Sequence, residues 1–228
     1  MSIAKHIAHI NQLIRSVALS VQRNPNEITL MAVSKTHDIA AIKQALACGV
    51  TDFGENYLQE AENKIAALQK EPITWHFIGS LQSKKTADAA CLFAWVHSVD
   101  RLKIAQLLSS HRPENMPLLN ICIQVNLDEE QNKGGVAPEQ LIALAREITA
   151  LPRIKLRGLM AIPKPVATPE QQYQSLLRLK LLLIRLNQEL SLNLDTLSMG
   201  MSDDLEAAIK AGSTIVRIGR AIFGERQR

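Results

Sequence analysis

The chain of 228 residues is poor in several things that would mark particular protein classes. Cysteine occurs only as Cys48, Cys91 and Cys122, far apart and each among apolar neighbours. Disulfide-held extracellular scaffolds pair their cysteines, so these three are expected to be small buried hydrophobes of a reducing compartment. Long hydrophobic runs are also missing. The most membrane-like stretch, Leu181 to Ile184, is closed in by Arg178, Lys180 and Arg185, which makes it part of a long packed helix. Lys5 and Arg15 interrupt the apolar positions of the opening segment and no small-residue cleavage site follows, so no signal peptide is read there and a cytoplasmic location is expected. Charge of one sign is lacking too: 26 basic and 22 acidic residues interleave to a net charge of +4. That balance points away from nucleic acid and from a membrane surface, while leaving a weak pull on small anions. His6 and His9 stand three apart without a third ligand, so no metal site is expected.

What is present is a repeated alternation of apolar runs and amphipathic segments. Ile3, Ile7, Ile10, Ile14 and Val17 recur at helical spacing and predict an opening helix whose stripe packs on the body. Thr29 to Ser34 is then an apolar run without alternation, the pattern of a strand covered on both faces. Asp38 is placed to cap a helix carrying Ile39, Ile42 and Leu46, and Gly49 to end it. The same grammar predicts strands at Asp52 to Gly54, Trp75 to Ile78, Trp95 to Ser98, Leu118 to Asn126, Lys155 to Leu159, Thr196 to Met199 and Thr214 to Ile218. Helices are expected at Tyr57 to Gln69, Ser83 to Leu92, Arg101 to Ser110, Pro138 to Ala150, Pro169 to Leu190 and Asp204 to Ala211. Eight strand–helix units in this length fit one closed (β/α)8 TIM barrel over residues 1–228, with an extra N-terminal helix; an open sheet of five or six strands is the alternative.

In a parallel barrel, ligand groups come from the carboxyl ends of the strands. Lys35 ends the first strand and falls on the same side as Val33 and Met31, so its stem can line the interior while its amine reaches the mouth. Burial would favour the neutral amine, a nucleophile toward aldehydes; the plainer reading is a lysine that snorkels into water. A second clue comes from SMGMSDD, with Ser198, Gly200 and Ser202, and from VRIGRAIFG, with Arg217, Gly219 and Arg220. Hydroxyls, a glycine open to close approach and the N–H groups of a helix start make an anion cradle. Asp203 and Asp204 argue against placing the anion on the helix after strand seven, and Asp203 to Glu206 has capping-box spacing. Gly219 and the Arg220 backbone therefore take the main phosphate role, with Ser202 adding a hydroxyl. His76 and His97 lie near strand ends, where a structural role is as well supported as a functional one.

The segments AVSKT (Ala32 to Thr36), FGENYLQE (Phe53 to Glu60), WHFIGSLQSKK (Trp75 to Lys85), RGLMAIP (Arg157 to Pro163), LSMGMSDDLEAAI (Leu197 to Ile209) and VRIGRAIFG (Val216 to Gly224) resemble the YggS/PROSC family of pyridoxal phosphate homeostasis proteins. The resemblance covers nearly the whole chain, in order. It implies a barrel similar to that of alanine racemase, holding pyridoxal 5′-phosphate as a Schiff base on Lys35. By the same resemblance Asn56 and His76 lie near the cofactor mouth, and Ser202, Gly219 and Arg220 form the phosphate side. Arg217 is the candidate neighbour of the pyridine nitrogen, a contact that discourages ring protonation. The family implies a monomer acting in vitamin B6 and amino or keto acid balance, without an established catalytic activity, that passes the cofactor to apo-enzymes. Two enzymatic alternatives are a pyridoxal phosphate-dependent racemase and a phosphosugar barrel enzyme using Lys35 on a carbonyl. A racemase needs a second acid/base group; Tyr57 is available in position, although packing is its expected role. One departure is Lys84, in QSKK where the family commonly has QSNK.

Overall fold

The computed structural model describes residues 2–128, 130 and 134–224. Helix α1 (Ile3–Ser20) stands outside the repeat. Eight units follow: β1 (Thr29–Val33) with α2 (Ile39–Ala47), β2 (Asp52–Glu55) with α3 (Leu58–Ala67), β3 (Thr74–Phe77) with α4 (Thr86–Leu92), and β4 (Trp95–Val99) with α5 (Leu102–His111). The second half is β5 (Leu119–Gln124) with α6 (Leu141–Thr149), β6 (Ile154–Met160) with α7 (Pro169–Leu190), β7 (Thr196–Ser198) with α8 (Leu205–Ala211), and β8 (Ile215–Ile218) with α9 (Arg220–Phe223). All eight strands are parallel neighbours in chain order and β8 pairs with β1, so the sheet closes into a barrel. The open-sheet alternative fails on that last pairing.

Local chemistry explains the boundaries. Asp38 accepts a 2.8 Å hydrogen bond from the Ala41 amide and starts α2, and Gly49 takes a φ of 87° beyond its end. Thr168 and Gln171 form a reciprocal capping box in front of α7, with Pro169 at its first position, so this helix has the expected limits. The expected helices at Ser83 and Pro138 instead open with three-residue 3-10 turns, Ser83–Lys85 and Pro138–Gln140.

Side-chain alternation sorts the core into two layers. A Cβ on Gly54 would come within 2.7 Å of Met31 Sδ, which places both residues, and with them Val33 and Asp52, on the barrel interior. Phe53 and Phe77 point the other way and are fully buried under the helices, Phe77 meeting Phe93 edge-on at 5.3 Å. Two expectations change. Cys91 is exposed, because α4 turns Ala89 and Ala90 inward and leaves the next position to solvent, whereas Cys122 is buried and Cys48 half-buried. Leu181 and Ile184 are also exposed on α7, whose packed stripe is Leu176, Leu179, Leu183 and Leu186. Among the described residues no helix is long and apolar enough to cross a membrane.

Helix α1 buries Ile7, Ile10, Ile14 and Val17, and it packs chiefly on α8 and α9, against the last strand–helix units. Ile10→Ala should therefore cost about 2–5 kcal/mol in urea unfolding, with Lys5→Ala within about 0.5 kcal/mol of the parent. Equal effects of the two substitutions would show that α1 is not part of the cooperative core.

Candidate functional site

A cavity of about 670 Å³ opens at the carboxyl ends of the strands. Lys35, Asn56, Ser202, Arg217, Gly219 and Arg220 all line it. They come from units one, two, seven and eight, so the sequence-distant ends of the chain meet here.

Lys35 follows β1 in a loop that is held from behind. The Ser34 amide donates to Gly54 O at 3.0 Å, and the Ser34 hydroxyl donates to Glu55 Oε1 at 2.6 Å. Lys64, buried on α3, donates to Ser34 O at 2.7 Å, to Glu55 Oε1 at 2.8 Å and to Glu60 Oε1 at 2.6 Å. Glu60 in turn accepts from the Thr36 amide at 2.6 Å, where the backbone takes a left-handed φ of 66°. Glu55 is fully buried; burial pushes its carboxyl above the ordinary range, against the pull of the Lys64 and Ser34 hydrogen bonds and the Lys64 charge. Lys35 itself is half-buried at the cavity wall.

Asn56 follows β2, with Gly79 so close that a Cβ there would lie 2.1 Å from Asn56 O. Asn56 Oδ1 is buried without a hydrogen-bond partner, and the residue lines the cavity. On the opposite side, Ser202 Oγ accepts from the Ala221 amide at 3.3 Å, within the first turn of α9. Gly219 opens that helix with φ −110°, so its value is space and not a left-handed backbone: a Cβ would sit 3.3 Å from Val33 O.

The two aspartates each have a local partner. Asp203 pairs with Arg220, and Asp204 accepts from the Met201 amide at 2.6 Å. The capping interaction expected between Asp203 and Glu206 does not form; Asp204 occupies the cap position of α8 and turns back onto the preceding loop instead. Ser198 and Gly200 leave the cradle. Ser198 is fully buried, and Gly200, with φ 96°, packs so tightly on α8 that a Cβ would meet Ala208 Cβ at 2.4 Å.

Arg217 is buried at the cavity floor, where Nη2 donates to Ala161 O at 3.0 Å and Nη1 to Ser198 O and Oγ. Burial lowers its pKa to about 10, partly opposed by Asp204, so it keeps its charge at neutral pH. His76 does not line the cavity. It lies below, 1% exposed, bonded to Asp52 and His97. Tyr57 does not pack: it is 57% exposed and outside the cavity lining. Lys84 is exposed on the 3-10 turn before α4, also away from the cavity. Among the described residues no group of three His, Cys, Asp or Glu side chains is arranged to hold a metal. The residues that sequence reading missed are Glu55 and Lys64. The spacing of Glu60 and Lys64 marks a helical ion pair, but nothing in it shows that Lys64 reaches strand β2.

A closed (β/α)8 barrel with a lysine after strand one and a basic, glycine-lined wall after strand eight is a barrel of the alanine racemase type. The sequence model for the alanine racemase N-terminal domain matches residues 8–227. The pyridoxal phosphate homeostasis protein of Pseudomonas aeruginosa is 55% identical over 99% of this chain and 96% of its own length. That of Escherichia coli K12 is 46% identical over 98% and 97%. PipY of Synechococcus elongatus PCC7942, solved with PLP bound, superposes with a TM-score of 0.86 at 36% identity, covering 98% of this chain and all of that one. The alanine racemase of Corynebacterium glutamicum shares the fold at 16% identity and TM-score 0.70, over 98% of this chain and 62% of its own. The chain belongs to the family of pyridoxal phosphate homeostasis proteins.

Lys64→Met should leave the Glu55 carboxylate buried and unpaired, costing about 3–5 kcal/mol at neutral pH. Because the folded-state pKa of Glu55 is raised, protonation favours the folded form, and stability should recover as pH falls through and below that raised value. Chemical unfolding at a series of pH values checks this; a deficit independent of pH, or one that Glu55→Gln fails to reduce, would refute it.

Proposed function

We propose that this protein binds pyridoxal 5′-phosphate in the cavity at the strand ends, with Lys35 as the residue that joins it covalently. The observation that carries the reading is the convergence, in one 670 Å³ space, of an amine, an unsatisfied buried Asn56 Oδ1 and a basic wall. When bound, the cofactor supplies an aldehyde with which a lysine amine condenses, releasing water. Lys35 is placed for that reaction by the buried Lys64–Glu55–Ser34 cluster, which leaves its loop little freedom to move. Asn56 Oδ1 accepts from a ligand hydroxyl. The open side of Gly219, the Arg220 backbone N–H and the Ser202 hydroxyl take the phosphate, and Asp203 is kept from repelling it by its pairing with Arg220. Arg217, charged at neutral pH, donates to an unprotonated ring nitrogen and so weakens the ring as an electron sink.

In this reading the chain is a cytoplasmic, monomeric holder of the cofactor in vitamin B6 and amino or keto acid homeostasis, delivering it to apo-enzymes. Exposed Ile162 and Met201 at the cavity rim leave an approach for an acceptor. Racemase chemistry is the competing use of the same site. Amino acid α-deuterium exchange followed by mass spectrometry separates the two, since Lys35-dependent exchange with formation of the D-isomer would favour the racemase.

Borohydride reduction of the protein with pyridoxal phosphate should place the pyridoxyl mass on the peptide containing Lys35, and Lys35→Ala should lose the adduct while remaining folded. A dominant adduct on another lysine would overturn the assignment. Gly219→Asp should weaken pyridoxal phosphate by about a hundredfold, because it sets a carboxylate against the anion, and leave unphosphorylated pyridoxal within about threefold. Equal loss for both ligands, in protein with parent-like thermal unfolding, would remove the phosphate from this end of the cavity.

A further inference from the structure

Below the cavity the barrel interior holds a file of polar groups that the cavity residues alone do not explain. Arg217 Nη1 lies 3.0 Å from Ser198 Oγ, and Ser198 Oγ lies 2.8 Å from His97 Nδ1. His97 Nε2 is 3.0 Å from His76 Nδ1, and His76 Nε2 is 2.9 Å from Asp52 Oδ1. Strands β4 and β7 are not neighbours in the closed sheet, so the His97–Ser198 contact must cross the interior. Ser198, His97 and His76 are 0%, 0% and 1% exposed. Asp52 is the first residue of β2, at the amino end of the barrel, and is half-buried.

The chemistry of the two ends decides the direction of every link. A guanidinium only donates and a carboxylate only accepts. Burial pushes the Asp52 carboxyl up, but the hydrogen bonds from His76 and the Thr51 hydroxyl outweigh it and hold the group below its ordinary pKa. Burial holds both histidines below theirs, so at neutral pH the rings are uncharged and each carries one N–H. His76 must then be protonated on Nε2 to meet Asp52, which makes its Nδ1 an acceptor. His97 is consequently protonated on Nε2 as well, its bare Nδ1 takes the Ser198 hydroxyl proton, and Ser198 oxygen receives the N–H of Arg217. With neutral rings this is the one assignment that satisfies all four contacts.

We propose that Asp52, His76, His97 and Ser198 are positioning residues for Arg217, forming a one-way hydrogen-bonded relay from the cavity floor to the far end of the barrel. The proposal rests on the cavity being the pyridoxal phosphate site. Ser198 and Ala161 O together clamp both terminal nitrogens of Arg217, which lines the cavity, so Nε–H and the second Nη2–H are the donors left for a ligand. The site thereby presents a donor of fixed direction and selects an aromatic ring that offers an unprotonated nitrogen. His76 contributes from below and touches no ligand.

The relay is tested first without ligand, by NMR of the full chain labelled with 15N-histidine. Both rings should be neutral Nε2–H tautomers at about pH 7.5, above the ordinary imidazole range. An Nδ1–H tautomer or a protonated ring at either position would overturn the relay. The second measurement titrates pyridoxal phosphate and its analogue with CH in place of the ring nitrogen. The parent should prefer the nitrogen-containing ligand by about tenfold, the scale of one charge-assisted hydrogen bond. Ser198→Ala, which removes the relay contact but keeps the Ser198 O and Ala161 O acceptors, should lower the preference to about threefold while leaving the analogue's Kd within about twofold. Asp52→Leu, at the distant end, should mix the His76 and His97 tautomers and lower the preference to about threefold. Weakening of both ligands alike, or an unchanged preference in both variants, would reduce these residues to structural filling and overturn the proposal. A parent that binds neither ligand would refute the cofactor reading, while the tautomers would still decide the relay.

Discussion

The site exists because β8 pairs with β1. In that register Met31 stands beside Arg217 and Ala32 beside Ile218, so the loop after β1 and the glycine after β8 emerge next to each other. Lys35 and Gly219 are separated by most of the chain, yet Val33 touches the space that a Gly219 side chain would need. Barrel closure also removes both sheet edges, and it leaves an interior with room only for side chains that fill one another's gaps. Position, stability and ligand access are thus all settled by the same ladder.

That narrow interior explains why so many charged and polar groups are buried and paired. Each would cost several kcal/mol if left without a partner. On the outer face of β2, Glu55 meets Lys64, and on its inner face Asp52 meets His76, so one strand of four residues anchors two separate networks. The first network stiffens the lysine loop; the second runs toward the arginine. Ordering of the ligand-facing groups is in this way done during folding, which reduces what a ligand must order on binding.

The cavity is basic at two places and acidic at one. Arg217 and Lys35 stand in the part reached from β8 and β1, while Asp203 is tied to Arg220. Asp204, nearer the core, is raised by burial and held by a backbone amide, so the α8 start does not act as an anion site. In the proposed reading the anion goes to the α9 end, where Gly219 leaves room beside Val33. Charge, helix start and glycine are therefore consistent with the proposed orientation, phosphate toward α9 and aldehyde toward Lys35.

The strand and helix units, Asp38 as a cap, and the positions of Lys35, Asn56, Ser202, Arg217, Gly219 and Arg220 at strand ends were legible in the linear pattern, because periodicity, caps and strand-end placement are local properties. The count of eight units also pointed to closure, which the β8–β1 pairing bears out, but the register of that pairing was not legible, since it depends on accumulated tilt and not on any one segment. For the same reason His76 read as a mouth residue and Ser198 as part of the cradle: a residue near the end of a strand can face up into the cavity or across into the interior, and only the stagger of the assembled strands chooses. Tyr57 and Cys91 read as packed because hydrophobicity is a local label, whereas exposure depends on which neighbours the helix finds. By itself the sequence determined which chemical groups stand at the strand ends. The tertiary structure alone decided which of them share one space, because that is set by cross-barrel distances to which no contiguous stretch of chain contributes.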